Sequence, residues 1–289
     1  MTWLSRCLPV AVVVLIVSPA AGALIRVPAD FPSIGEGVSA ASSGDTVLVA
    51  PGSYLGASNR DVSFQGKDLV LVSEAGPGET FIDCQMYGRA FVFEGTETRA
   101  AVLQGFTIFS GRARPQGYGG GILVREAARP TIRDCVFAYC HTEGIPSFPY
   151  YPAFGGAIYC GYDAAPLIMN CTFYQNTLSG SPAYGSAVFA WGGPIRNCLF
   201  AGNSWKVVQY DSTLSHCIVD EGGGDPAGDN LWGVDPALCP GSYEVCSDSF
   251  ALPDMNPWGE LVGALGVGCA PCNSPVSAIS WGAIKAMYR

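Results

Sequence analysis

One short motif occurs three times in this chain and limits its possible folds more than any other feature. Each copy starts with proline, contains an isoleucine and a cysteine, and ends with phenylalanine; the copies span residues 130–137, 166–173 and 194–200. Their cysteines, Cys135, Cys171 and Cys198, are 36 and 27 residues apart. A strand pattern that returns at intervals of this length is the signature of stacked repeats. We therefore predict a solenoid whose units carry insertions of variable length.

The register of the motif extends to five copies, because residues 105–108 fit the slot before the first copy and residues 216–219 the slot after the last. Large apolar residues alternate with polar ones in each copy, so we predict short strands with one buried face. Helical periodicity is nearly absent from the repeat region. Two rows are expected to fill a narrow core, one of phenylalanines and one of aliphatic residues: Phe137, Phe173 and Phe200, and Ile122, Ile158 and Val188.

A second row of equivalent positions follows three residues after the last apolar position of each copy. It consists of Gly111, Cys140, Asn176, Asn203 and Gly222. Glycine and asparagine tolerate the left-handed backbone of a tight turn, and a stacked asparagine can hydrogen-bond the next unit. Cys140 breaks this row, so we expect its turn to differ from the others.

Parallel coils that wind in one sense satisfy all of these patterns. The Asn-Cys-Thr-Phe copy at 170–173 and the Gly-Gly-Ile copy at 120–122 resemble those of the pectin-lyase-like superfamily, in its secreted bacterial form. The resemblance covers about residues 24–268 and implies an all-β, single-stranded, right-handed parallel β-helix. Solenoids need caps because their end coils expose apolar surface. Residues 34–43 suit a short N-terminal capping helix, and the chain after Val219 suits an irregular C-terminal cap.

The first 23 residues have the pattern of a signal peptide, with Arg6 before an apolar stretch and small residues at Ala21 and Ala23. The apolar stretch is short for a membrane span, so we expect no transmembrane anchor after cleavage. The mature protein is then secreted or held at the cell surface. Residues 269–289 form a tail, which is either a docking or sorting peptide or an element packed on the end of the solenoid.

Charge restricts the partners that this chain can bind. The formal net charge is −9 and only 13% of residues are charged. Nucleic-acid binding needs clustered Lys and Arg, so we expect no nucleic-acid partner. A neutral or cationic partner fits better, and we expect a monomer.

The cysteines fall into two groups. Stacking on successive coils would place the Cβ atoms of neighbouring cysteines about 4.8 Å apart, whereas a disulfide prefers about 3.5 to 4.5 Å. We therefore expect a buried row of free thiols at Cys135, Cys171, Cys198 and Cys217. The disulfide candidates are Cys239, Cys246, Cys269 and Cys272, in a pairing that the sequence leaves open. The Cys-Ala-Pro-Cys segment at 269–272 resembles half of a redox or zinc site, but no second such pair accompanies it. We expect no metal and no cofactor.

The catalytic sets of the enzymes that this chain resembles are not legible in it. Pectate lyases combine a calcium-binding Asp cluster with an Arg base, and the related hydrolases use three Asp residues. The best acidic pair here is Glu126 and Asp163, which occupy nearly equivalent places on adjacent coils. Two carboxylates about 5 to 9.5 Å apart are what glycoside hydrolysis needs. Solvated turn residues explain this pair equally well.

Aromatic residues are concentrated in three insertions that should project side by side from one edge of the solenoid. They are Tyr118, Phe148, Tyr150, Tyr151, Phe154 and Tyr184. Such rings suit sugars and protein partners alike, although the insertions could also pack only on one another. The sequence thus predicts an exported binding and structural module that contacts a carbohydrate or a surface partner through this edge. The alternative is a polysaccharide lyase or glycoside hydrolase, and whether the chain is an enzyme stays open.

Overall fold

The chain folds mainly into parallel β-strands. The computed structural model describes residues 22–113, 117–145, 152–204, 207–209, 212–220 and 229–272. Within these ranges there is one α-helix, α1 (Ile34–Ala40), and one short 3₁₀ helix, Ala57–Asn59. None of the helices in the described ranges is long and apolar enough to cross a bilayer.

The strands of the described residues are short. In chain order, the first ten are β1 (Leu24–Val27), β2 (Thr46–Val49), β3 (Gly52–Tyr54), β4 (Val62–Ser63), β5 (Val70–Ser73), β6 (Thr80–Asp83), β7 (Phe91–Glu94), β8 (Val102–Gln104), β9 (Thr107–Phe109) and β10 (Arg112–Ala113). The next ten are β11 (Ile122–Arg125), β12 (Thr131–Arg133), β13 (Val136–Ala138), β14 (His141–Glu143), β15 (Ala153–Phe154), β16 (Ile158–Cys160), β17 (Leu167–Met169), β18 (Thr172–Tyr174), β19 (Thr177–Ser179) and β20 (Ala183–Tyr184). The last nine are β21 (Val188–Ala190), β22 (Pro194–Arg196), β23 (Leu199–Ala201), β24 (Val208–Gln209), β25 (Thr213–Ser215), β26 (Ile218–Val219), β27 (Leu231–Trp232), β28 (Val245–Cys246) and β29 (Val267–Cys269).

Three large sheets contain most of these strands. Sheet A has the order β1-β2-β5-β8-β12-β17-β22-β25, sheet B the order β27-β26-β23-β18-β13-β9-β6-β3, and sheet C the order β24-β21-β16-β11-β7-β4. From β2 to β26 the chain visits A, B and C in turn, and each such pass is called a coil below. Insertions add the small sheet D, β10-β14-β19, and the pair β15-β20 between sheets B and C. This arrangement of parallel strands in stacked sheets is consistent with a parallel β-helix.

The repeated motif is a corner between two sheets, so its prediction as one strand is wrong. β12 lies in sheet A and β13 in sheet B, and Asp134 between them has a left-handed φ of 54°. The equivalent residues share this conformation: Gly105, Asn170, Asn197 and His216. Ile132, Cys135 and Phe137 all point inward. Ile132 and Cys135, which lie on either side of the corner, are three positions apart, whereas Cys135 and Phe137 are two positions apart.

The second turn of each coil also contains a left-handed residue, one position before the predicted row. Ser110, Tyr139, Gln175 and Gly202 have φ values of 53°, 54°, 49° and 61°. The expectation of a different turn at Cys140 is therefore wrong. The backbone N–H of Cys140 donates to Oδ1 of Asn176 in the next coil at 3.0 Å. Asn176 thus satisfies the backbone at this turn, and the turn forms without a polar side chain at position 140. Gly222 lies outside the described residues.

The predicted hydrogen bonding between stacked asparagines is confirmed. Asn176 Nδ2 donates to the carbonyl of Phe137 at 2.9 Å, and Asn203 Nδ2 donates to the carbonyl of Phe173 at 2.9 Å. Asn203 Oδ1 in turn accepts from the backbone N–H of Asn176 at 3.0 Å. Each side chain thus satisfies backbone groups of the preceding coil that would otherwise be buried without partners.

Both predicted core rows are confirmed. The rings of Phe137 and Phe173 stack at 5.1 Å and those of Phe173 and Phe200 at 4.8 Å, and all three side chains are fully buried. The aliphatic row pairs Ile122 with Ile158 and Ile158 with Val188.

The inner cysteines are buried free thiols, as predicted: Cys135, Cys171, Cys198 and Cys217. Burial raises the pKa of the Cys135 and Cys198 thiols well above the usual value. The thiols of Cys135 and Cys198 therefore stay protonated at neutral pH. All four side chains fill the core as small apolar groups.

Helix α1 lies against the first coil, in agreement with the predicted N-terminal cap. It buries Ile34 and Val38 and contacts β1, β2 and β4. A Cβ atom at Gly37 would come within 2.8 Å of the Val27 side chain, so glycine allows the helix to approach the sheet closely. The helix ends at Ala40, earlier than the predicted residue 43.

Replacing Ser33 with alanine should lower the free energy of unfolding by about 1 kcal/mol. Ser33 is the N-cap of α1, and its Oγ accepts a hydrogen bond from the backbone N–H of Glu36 at 3.3 Å. Ser39→Ala on the exposed side of the same helix is the control, because it removes a hydroxyl without removing a cap. Urea unfolding of the two variants measures the difference, and equal stabilities would contradict the capping role.

Residues 229–272, called the C-terminal segment below, continue from the last coil and fold back along the outer face of sheet B. The outward side chains Leu199 and Ile218 pack with Phe250 and Val262 of this segment. The backbone N–H of Ala264 donates to Thr172 Oγ1 at 3.0 Å. The segment therefore covers the side of sheet B over several coils, whereas the sequence predicted a cap on the end.

Candidate functional site

The insertions between sheets B and C bring aromatic side chains together. Tyr118 forms a parallel bridge with Phe154, and Phe154 pairs with Tyr184 through β15 and β20. Their rings stack at 5.6 Å and 5.3 Å, with interplanar angles of 7° and 15°. These three predicted residues thus lie side by side on successive coils. The other three predicted binding residues, Phe148, Tyr150 and Tyr151, lie outside the described residues.

A glycine after each of these rings fixes its position. Gly119, Gly155 and Gly185 directly follow Tyr118, Phe154 and Tyr184 and have left-handed φ values of 62°, 65° and 69°. A Cβ atom at Gly155 would lie 2.1 Å from the carbonyl oxygen of Ile158, so only glycine fits. This turn leads each insertion into its strand of sheet C. The aromatic-glycine dipeptide therefore places the three rings at equivalent positions in successive coils.

Two further rings from the outer face of sheet C join the row. Tyr159 on β16 lies 4.8 Å from Tyr118, and Phe189 on β21 lies 4.5 Å from Phe154. Tyr159 and Phe189 stack on each other at 5.6 Å. The five residues that form this aromatic cluster are Tyr118, Phe154, Tyr159, Tyr184 and Phe189.

Tyr159 and Phe189 were not predicted from the sequence, although a signal for them exists. Each lies between two inward residues of a short strand: Tyr159 lies between Ile158 and Cys160. Period-2 alternation therefore assigns both to the outer face of sheet C. That this face lies next to the insertions follows only from the tertiary structure.

A cavity of about 350 Å³ lies beside the aromatic cluster, and its lining combines aromatic, basic and acidic groups. The lining residues are Arg89, Tyr118, Leu123, Arg125, Glu126, Tyr159, Gly161, Tyr162 and Asp163. Tyr162 is 79% exposed, so its ring lies at the outer rim of the cavity, and it meets Trp191 edge to face at 5.6 Å.

Both arginines of the cavity have carboxylate partners. Arg89 lies 3.7 Å from Asp61 and donates through Nε to the carbonyl of Tyr118 at 2.9 Å. Burial lowers the pKa of Arg89, and the charge of Asp61 opposes that shift. Arg125 donates through Nε to Glu94 at 3.0 Å, along the register pair that joins β7 and β11. The positive charges of the cavity are therefore already neutralised.

Tyr159 contributes a hydroxyl that is protonated at neutral pH. Burial raises the pKa of Tyr159, with smaller contributions in the same direction from Tyr118 and Cys160 and an opposing hydrogen bond with Trp191. The phenol can therefore both donate and accept hydrogen bonds. It stands between the aromatic cluster and the charged side of the cavity.

The structure brings Glu126 and Asp163 to the same cavity, and they are the only carboxylates among its lining residues. The pairing of Val124 with Cys160 puts them one residue out of register. The side chain of Glu126 is 64% exposed and lies 3.8 Å from Arg125 Nε, on a left-handed turn. Its environment is that of a solvated turn residue.

Two other polar residues that lie close in sequence to Glu126 belong elsewhere. Arg133 donates to Gln104 at 2.8 Å and Asp134 accepts from Gln104 at 3.0 Å, both at the C-terminal ends of the neighbouring strands β8 and β12 in sheet A. They do not line the cavity. The charged side chains that line the cavity with Glu126 are therefore Asp163, Arg89 and Arg125, and a catalytic role for Glu126 would depend on these three.

Comparison of the chain with protein-family models, with curated proteins and with solved structures finds no match. Function is therefore inferred from the geometry of the aromatic cluster and its cavity.

Proposed function

We propose that this protein is an exported carbohydrate-binding module, built as a right-handed parallel β-helix of the pectin-lyase-like type. In this proposal a neutral oligosaccharide binds at the aromatic cluster and in the adjoining cavity. The observation that carries the proposal is the alignment of Tyr118, Phe154 and Tyr184 on three successive coils, next to a cavity rich in tyrosine.

The chemistry of the cavity favours a sugar over an apolar ligand. Sugar rings have apolar C–H faces that pack on aromatic rings, and hydroxyl groups that need donors and acceptors. Tyr118, Tyr159 and Tyr162 supply rings and hydroxyls together, and Glu126 and Asp163 supply acceptors at the rim. A purely hydrophobic ligand would pack on the rings but would make no hydrogen bonds with these hydroxyls and carboxylates.

Charge favours a neutral sugar over an acidic one. Arg89 and Arg125 pair with Asp61 and Glu94, and the cavity contains two further carboxylates. An acidic polysaccharide would have to displace these partners and would face like charges at the rim. The formal net charge of −9 acts in the same direction.

Export is supported by the signal-like pattern of residues 1–23 and by the two disulfides of the C-terminal segment, which form in oxidising compartments. A secreted or surface location would place the cavity in contact with extracellular glycans.

Replacing Tyr159 with alanine should weaken binding of a neutral oligosaccharide about tenfold, which corresponds to about 1.4 kcal/mol. The variant removes a ring of the cluster and a hydroxyl of the cavity together. A glycan array that carries neutral and uronic-acid oligosaccharides, followed by calorimetry on the best ligand, measures the effect. Tyr87→Ala is the control, because Tyr87 is 80% exposed and does not line the cavity.

Three results would contradict this proposal. The first is an absence of any carbohydrate ligand on the array, and the second is binding of acidic glycans alone. The third is equal affinity of Tyr159→Ala and Tyr87→Ala for the best ligand. Circular dichroism of both variants shows whether the fold is retained.

The second candidate is a polysaccharide lyase or glycoside hydrolase, and the location of Glu126 and Asp163 on one cavity favours it. Release of reducing ends or of unsaturated products from a polysaccharide panel tests for activity. If activity is found and Glu126→Gln or Asp163→Asn abolishes it without loss of binding, the module is an enzyme.

A further inference from the structure

The four cysteines of the C-terminal segment form one sulfur cluster. Disulfides join Cys239 to Cys269 and Cys246 to Cys272, so the candidates predicted from the sequence are bonded. Cys269 Sγ also lies 3.6 Å from Cys246 Sγ and 3.6 Å from Cys272 Sγ. The two disulfides are therefore in direct contact, and the sulfurs of Cys239, Cys246 and Cys269 all lie within 4.8 Å of one another.

Backbone hydrogen bonds hold the four cysteines in place independently of the disulfides. β28 and β29 are parallel and pair Cys246 with Cys269. The backbone N–H of Cys239 donates to the carbonyl of Glu244 at 2.9 Å, and that of Cys246 donates to the carbonyl of Ala237 at 2.8 Å. The N–H of Cys272 donates to Asp248 Oδ1 at 3.1 Å. None of these hydrogen bonds involves a sulfur atom.

The spacing between the two disulfides is close to that of a structural zinc site. Structural zinc is bound by four thiolates in a tetrahedron with Zn–S distances of about 2.3 Å, which puts the sulfurs about 3.8 Å apart. The two contacts of 3.6 Å between the disulfides are already close to that separation. We propose that these four cysteines, when reduced, bind one zinc ion, so that the segment is closed either by two disulfides or by a metal.

No metal was expected from the sequence because it contains only one Cys-x₂-Cys pair of this kind, at 269–272. The second pair is Cys239 and Cys246, which are separated by six residues but are brought together by the turn between them. Cys239 and Cys246 are buried, whereas Cys269 and Cys272 are half-buried. A reductant and a metal ion can therefore approach from the side of the Cys-x₂-Cys pair.

The two states interconvert with balanced chemistry. A small dithiol supplies two electrons and two protons to each disulfide and is itself oxidised to a disulfide. Zinc then replaces the thiol protons, which are released to solvent, and the site carries two negative charges. An oxidant that removes two electrons from each cysteine pair re-forms the disulfides and releases the zinc.

Cobalt(II) tests the proposal because its visible spectrum reports both sulfur ligation and tetrahedral geometry. The full-length protein is reduced anaerobically, its free thiols are counted, and cobalt(II) is added in steps. We expect one cobalt per chain with a tetrahedral, all-thiolate spectrum, displacement by one equivalent of zinc, and release of zinc on oxidation. Cys272→Ser should lose the all-thiolate spectrum, and Cys84→Ala, which removes a free core cysteine, should keep it.

Several outcomes would overturn the proposal. They are no cobalt binding by protein whose disulfides are shown to be reduced, an unchanged spectrum in both Cys239→Ser and Cys272→Ser, and cobalt bound by fewer than four sulfurs. Circular dichroism separates binding from folding. If reduction unfolds the segment and zinc restores its structure, the proposal is supported, and if zinc has no effect on the reduced protein, it fails.

Discussion

Replacement of Phe173 with alanine is expected to lower the free energy of unfolding by about 3–5 kcal/mol. Phe173 is fully buried, and its ring is stacked between Phe137 at 5.1 Å and Phe200 at 4.8 Å. The neighbouring coils are held by parallel strand pairing on both sides, so they cannot close the space that the ring leaves. The loss therefore includes a cavity in addition to the transfer free energy of the ring.

Urea unfolding followed by circular dichroism measures this effect. Tyr87→Ala is a suitable control, since it removes a ring of similar size that is 80% exposed, and it should change stability by less than about 0.5 kcal/mol. A loss below about 1 kcal/mol for Phe173→Ala would show that the stacked row does not stabilise the core.

Replacement of Asn176 with alanine should lower the free energy of unfolding by about 2–6 kcal/mol, because two backbone groups lose their partners. Asn176 is fully buried; it accepts from the N–H of Cys140 and donates to the carbonyl of Phe137. An unpaired buried group costs about 1–3 kcal/mol. Alanine has no polar side-chain atom to replace the lost hydrogen bonds, and the stacked strands exclude water from these two backbone groups.

Asn203→Ala provides the matched control for Asn176→Ala, since Asn203 occupies the same row one coil later. It donates to the carbonyl of Phe173 and accepts from Asn176, but it is only partly buried, so water can replace its side chain. We expect a smaller loss of stability in the same urea experiment. Equal losses in the two variants would mean that burial of the asparagine row does not determine its contribution.

Much of the architecture could be predicted from local patterns. The inward row of Phe137, Phe173 and Phe200 and the aliphatic row of Ile122, Ile158 and Val188 follow from repeated spacing, and strand pairing confirms both. The corner at Asp134 could not be recognised, because one left-handed residue redirects the chain into a new sheet while the apolar pattern continues almost unchanged.

The candidate site was predictable only in part. Tyr118, Phe154 and Tyr184 were found from their insertions, and the glycine after each explains their common register. Tyr159 and Phe189 were missed because their role depends on which sheet adjoins the insertions. Period-2 alternation assigns a face to a side chain, but it does not say what lies beside that face.

The amino-acid sequence by itself determined the repeating strands, the buried cysteine and phenylalanine rows and the N-terminal helix, because each depends on residues close together in one coil or on exact repetition between coils. Only the tertiary structure decided three other features. They are the division of each motif between two sheets, the return of the C-terminal segment along sheet B, and the gathering of its four cysteine sulfurs. These features depend on distances between residues far apart in the chain, and a linear pattern does not encode such distances.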